Sequence, residues 1–199
     1  MAKPRTQGLA DHLAFLRRSG AAGAGHSGRT LLAHLVGTRA LLESFGARPA
    51  LCDAGLFHSV YGTEFFPAET LGGEARDAVR ARIGAEAEQL AWLWCTVRRS
   101  SLAANLARGP REYRARRRSG GEWLPLPERQ LADLAELWVA DAVEQLPRLG
   151  GDSPDFTRGL SELAPLASPA ARDALRERRT WSPPRPREGI SRRPGTGSG

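Results

Sequence analysis

The chain is poor in several things, and each shortage excludes a class of protein. It has two cysteines, Cys52 and Cys95, both inside apolar runs. That is too few for a disulfide framework, so they read as reduced core residues of a cytoplasmic protein. No apolar run approaches the ~18–20 residues of a membrane span, and the first residues lack the apolar segment of a secretory signal. There is no phosphate-binding P-loop, no repeat on the scale of a fold, and no alternation of apolar and polar residues that marks a strand. Lysine is nearly absent, Lys3 being the only one, so the net charge of +7 rests on arginine. Arginine, alanine, glycine and proline rise together, a coding bias that accounts for much of the charge. A nucleic-acid partner would need aromatic side chains interleaved with the basic run, and only Tyr113 and Trp123 stand near it, so none is expected.

What is present is helical. A hydrophobic content of 41% supplies one core of about 130–150 residues with tails. The apolar spacing predicts helices over 7–18, 28–45, 49–60, 74–83, 85–99 and 125–148, with one or two short helices in 154–179. Ser27 and Thr30 are candidate N-caps of the second helix, Gly46 its C-cap, and Pro49 opens the third. The expected organisation is a disordered start over 1–6, an all-α domain over 7–150, short C-terminal helices over 151–180 and a disordered basic Pro/Gly/Arg tail over 181–199. The Arg-rich stretch 108–122 reads as a mobile loop.

Three of the four histidines fall between His26 and Glu64. His34 and His58 lie 24 residues apart on consecutive helices joined by a short connection. Antiparallel packing of those helices lets both imidazoles reach one ion. The 49–60 helix is apolar all round, so a histidine at its end is buried and requires a partner or a metal. A third ligand from a distant helix would complete the site, and Asp141 or Glu144 could serve. The Gly-rich turn after His58 carries Tyr61, Thr63 and Glu64, placed where substrate contacts are common. Arg29 is a candidate phosphate contact, and His26 a candidate substrate or metal contact.

The run HLVGTRALLESFGARPALCDAGLFHSVYGTE resembles the opening of HD-superfamily domains, among them the alarmone hydrolases of the RelA/SpoT type. His34 matches the first ligand histidine, AGLFH the second motif, GTE the acidic-Thr turn and RARIGAEAEQLAWLWCTVRR a later helix, over about residues 26–100. A bacterial HD-like family in which serine replaces the motif aspartate is the nearer match, since the motif aspartate is Ser59 here. The positions of the water-activating acidic pair are Gly62 and Thr63, and Arg98 stands where an acidic residue is expected. The resemblance implies an HD-like helical bundle. In it, a divalent manganese, iron or zinc ion would be held by His34, His58 and Asp141. Glu64 and His26 would serve in acid–base roles, with Arg29, Tyr61 and Thr63 at the substrate. The substrate would be a small phosphorylated molecule for a hydrolase, or an oxidisable one for an oxygenase of the di-iron kind. The alternative it implies is an HD-like module without catalysis that binds a nucleotide or a protein partner.

Overall fold

A computed structural model describes residues 5–26, 28–67, 70–107, 112–148 and 159–180. The architecture is predominantly helical. Helix α1 spans Arg5–Arg18, α2 Leu31–Ser44, α3 Pro49–Phe57, α4 Arg76–Ile83, α5 Ala85–Thr96, α6 Arg99–Ala103, α7 Glu128–Gln145, α8 Leu160–Leu163 and α9 Pro169–Thr180. Helix α1 thus begins two residues before the expected start of the domain. The rest of the expected disordered start, part of the Arg-rich stretch, residues 149–158 and the tail over 181–199 lie outside the described residues.

Local chemistry sets the ends of α2 and α3. The Thr30 hydroxyl accepts from the Ala33 N–H at 3.2 Å and caps α2. At the other end Gly46 adopts φ 78°, a conformation that costs a residue without Cβ almost nothing. This lets the Ala47 N–H return to the Leu42 carbonyl at 2.9 Å. Pro49 then occupies the first turn of α3, where its missing N–H has no partner to lose.

Helix α2 packs on α3 and α7, and α3 on α5. Leu35, Leu42, Leu56, Phe57, Leu90, Trp94, Leu134 and Trp138 fill the space between them. Gly55 makes the α2–α3 approach possible, since a Cβ there would stand 2.4 Å from Leu42 Cδ1. Helix α7 is the most enclosed element, buried from Leu131 to Gln145 on nearly every side. Its buried charged residues have partners: Asp133 takes Arg48 at 2.6 Å, and Glu136 takes the Ser168 N–H at 2.6 Å.

The expectation of no strands is corrected at two places. Gly25–His26 pairs antiparallel with Arg29–Thr30 as β1 and β2, and Arg114–Arg116 with Trp123–Pro125 as β3 and β4. The second hairpin lies in the stretch expected to be a mobile loop. It is anchored by Asn105, whose side chain exchanges hydrogen bonds with the Arg114 carbonyl at 2.9 Å and the Arg114 N–H at 2.8 Å. Buried Ala115 is its one inward residue on β3. Strands three residues long have no room for a legible alternation. Among the described residues no helix is long and apolar enough to cross a membrane.

Candidate metal centre

His34 lies in the first turn of α2, His58 ends α3, and Asp141 and Glu144 lie one turn apart on α7. The packing of α2 on both partners brings the four side chains together. His34 Nε2 is 3.0 Å from His58 Nε2 and 3.2 Å from Asp141 Oδ1, and His58 Nε2 is 3.5 Å from the same oxygen. The three ligand atoms lie within 4.8 Å of one another, and His34, His58 and Asp141 are 0, 1 and 4% exposed. This group can hold a metal ion.

The outer nitrogens are both committed. His58 Nδ1 donates to the Gly55 carbonyl at 2.7 Å, and a carbonyl can only accept, so the proton of that ring sits on Nδ1. His34 Nδ1 donates to Glu144 Oε2 at 2.5 Å. Both Nε2 atoms therefore turn their lone pairs toward each other and toward the Asp141 carboxylate. Two lone pairs 3.0 Å apart beside a carboxylate call for one positive charge between them. A proton supplies it in one form of the site, and a cation can supply it in another. Carboxylate and carbonyl partners on the far nitrogens are also the usual outer shell of histidine ligands, because they fix tautomer and ring orientation.

The electrostatics agree with that geometry. Burial pulls the pKa of His34 down, but its hydrogen bonds with Asp141 and Glu144 outweigh burial and push it up to about 9. Burial raises Asp141, and its hydrogen bonds with His34 and His58 hold it well below the ordinary carboxylate range. Glu144, also raised by burial, is brought down by His34, Arg148 and Arg29. Gln145 Nε2 donates to Asp141 Oδ1 at 2.6 Å.

Glu144 was weighed as a ligand and stands instead behind His34. It takes Arg29 Nη1 at 2.7 Å on Oε1, and Arg148 on Oε2. Its approach depends on Gly37, where a Cβ would stand 2.9 Å from Glu144 Cγ and 3.0 Å from Oε1. Replacing Gly37 by Ala favours the isolated helix by up to about 1 kcal/mol, yet it displaces the carboxylate that fixes His34. Gly37→Ala is expected to weaken metal binding roughly 10–100-fold, the usual effect of losing such a partner, while the protein stays folded. Competition titration against a chromophoric chelator reads that change, and unaltered affinity would exclude the role given to Glu144.

The remaining candidates are placed elsewhere. Arg29 is occupied by Glu144 and by the Ala33 carbonyl at 2.7 Å. Tyr61 donates to Glu88 Oε1 at 3.4 Å, and burial pushes its hydroxyl pKa up. Thr63 closes a turn, its hydroxyl accepting from the Phe66 N–H at 3.0 Å. Glu64 Oε2 accepts the Arg99 N–H at 2.8 Å. His26 contributes backbone to β1, and its side chain lies outside the described residues. Ser59 is buried beside His58 and brings no carboxylate.

One neighbour had no counterpart in the sequence reading. Arg99 is 3% exposed, its guanidinium 3.4 Å from the centre of the Trp94 ring, and Nη1 donates to the Trp94 carbonyl at 2.6 Å. Burial lowers its pKa to about 10, and Asp141 is the strongest charge acting to raise it. Trp94 in turn stands edge-on to His58 with centroids 6.0 Å apart.

Residues 15–99 match a family model described as a Domain of unknown function (DUF6817). That stretch takes in α2, α3 and both cluster histidines and ends before Asp141. The curated proteins hold no match to this chain, nor do the solved structures.

Proposed function

We propose that the protein is a metal-dependent enzyme on an HD-like helical scaffold, with one divalent ion held by His34, His58 and Asp141. The observation that carries this reading is the convergence of two Nε2 atoms and one carboxylate oxygen whose outer hydrogen bonds are already assigned. Two imidazoles and a carboxylate suit zinc, manganese or iron, and three protein ligands leave positions for water and substrate. A bound ion would lower the pKa of a coordinated water and polarise a phosphoryl oxygen, which is the chemistry of a phosphohydrolase acting on a small phosphorylated substrate. The chain's own part is to hold both rings in the Nε2-ligating tautomer through Glu144 and Gly55, and to keep Asp141 ionised. Iron in the same three-ligand set would instead suit an oxidisable substrate.

The second reading, an inactive HD-like module, is favoured by the burial of all three ligand atoms and by Ser59. Structural centres are closed, whereas catalytic ones keep a position open to substrate. Inductively coupled plasma mass spectrometry of the purified protein tests for the ion, and phosphate release or oxygen uptake by the loaded protein separates a catalytic centre from a closed structural one. The proposal expects near-stoichiometric zinc, manganese or iron, lost in His58→Ala, with the identity of the metal deciding between hydrolysis and oxidation. A folded protein that stays metal-free after incubation with each ion sinks it.

A further inference from the structure

A second site lies on the far side of Cys95. The thiol of Cys95 donates to the His58 carbonyl at 3.1 Å, and the same residue lines a surface cleft of about 520 Å³. Tyr61, Glu64, Thr96, Arg98, Arg118 and Ser119 form its walls. The size is that of a small-molecule pocket.

Many of the arginines away from this cleft are neutralised by an acidic partner. Arg29, Arg39, Arg48, Arg76 and Arg148 each sit against a carboxylate. Arg118 uses Nη1 on two backbone carbonyls, Cys95 at 2.6 Å and Gly62 at 3.2 Å, and makes no ion pair among the described residues. Those bonds hold the side chain in place while leaving its charge uncompensated. Arg98 is exposed, its backbone N–H is fixed to the Arg116 carbonyl at 2.8 Å, and its guanidinium has no partner among the described residues. Arg99 is buried on the Trp94 ring, outside the lining of the cleft, and lies in the field of Asp141 and Glu64. Glu64, the one carboxylate lining the cleft, has Oε2 engaged by the Arg99 N–H. Arg117 also lines it but is paired with Glu122.

Two guanidinium groups lining one concavity, Arg98 and Arg118, have no ion pair among the described residues, and create a local positive potential that a single carboxylate, itself engaged by the Arg99 N–H, does not cancel. Arginine presents forked donors that match the oxygens of a phosphate, and the hydroxyls of Thr96 and Ser119 add polar lining. We propose that this cleft is an anion-binding site that receives the phosphate group of a small phosphorylated molecule, with Arg98 and Arg118 as its direct contacts. The site rests on arginine placement alone and does not depend on metal at the histidine cluster. Its floor shares Cys95 with the His58 backbone, so an occupant lies one residue away from that cluster.

Isothermal titration of the full chain with inorganic pyrophosphate, in the presence of a chelator, tests this. The expected result is saturable binding of one equivalent, weakened at least about tenfold by Arg98→Glu and by Arg98→Ala/Arg118→Ala, since each removes a charge-assisted contact. Arg98 is exposed, so Arg98→Glu preserves the fold and keeps the test decisive if loss of Arg118 disturbs the hairpin. Arg17→Ala, on the exposed side of α1, is expected to bind as the unaltered protein does. Three outcomes overturn the proposal: no heat of binding, equal binding by all variants, or binding that requires added metal and disappears in His58→Ala. The last would place the phosphate at the histidine cluster and leave the metal-centre reading standing.

Discussion

Asp141→Ala is expected to destabilise the metal-free protein by about 3–5 kcal/mol, the cost of removing one partner from a buried ion pair. In a domain of this size that lowers the melting temperature by roughly 10–15 °C. The reason lies in what the carboxylate leaves behind. Asp141 Oδ1 accepts from Gln145 Nε2 at 2.6 Å and faces His34 Nε2 at 3.2 Å. Without it, a buried amide loses its acceptor, and the charge on His34 keeps only Glu144. Denaturant unfolding in chelator measures the loss. A loss below about 1 kcal/mol would be the size of an ordinary surface change, and would show that Asp141 bears no charge-pairing role.

The second large effect is a pH dependence that changes direction with metal. In the metal-free protein the pKa of His34 stands at about 9, above its ordinary value of 6.5. A raised pKa means the folded state binds the proton more tightly than the unfolded chain. Its contribution is therefore complete below pH 6.5 and lost as pH rises through 9. Asp141 works in the opposite sense: its pKa is depressed, so its contribution is present above the ordinary carboxylate range and lost on acidification. Together they place the optimum of the metal-free cluster in mildly acidic solution, with a fall on the order of 3 kcal/mol toward pH 9. A metal ion competes with that same proton, since histidine ligates only when deprotonated. Saturating zinc or manganese is accordingly expected to stabilise the protein more at pH 9 than at pH 6. Melting curves across pH, with and without the ion, give the two slopes. Parallel slopes would show that the ion and the proton do not share a site.

How much of this was legible in the sequence follows from the range of each interaction. The turn between α2 and α3 was readable because Thr30, Gly46 and Pro49 act on backbone within a few residues of themselves, whereas the helix expected over 85–99 stops at Thr96 and α6 follows it as a separate helix. The pairing of His34 with His58 was readable for a similar reason, since a short connection between two helices leaves few ways to pack them. Asp141 could be placed only as a candidate, because nothing local tells which face of α7 turns inward. Glu144 and Gly37 were beyond reach as a pair. A glycine inside a helix signals only lost propensity until the residue that fills its notch is known. The β3–β4 hairpin was misread as a mobile loop because its order comes from Asn105, outside the Arg-rich run. Arg99 carried no signal at all: its burial goes with a cation–aromatic contact to Trp94, five residues back, which no local pattern announces.

The separation of the ligands along the chain has a consequence for folding order. His34 and His58 are 24 residues apart, whereas Glu144 is 110 residues from His34. The α2–α3 pair can close early, because short loops cost little entropy, but the carboxylate side arrives only when α7 docks. An ion meeting the chain before that step finds two imidazoles and no anion. On the proposed metal reading, full-strength ion capture would be a late event, and its rate during refolding would time the docking of the last long helix.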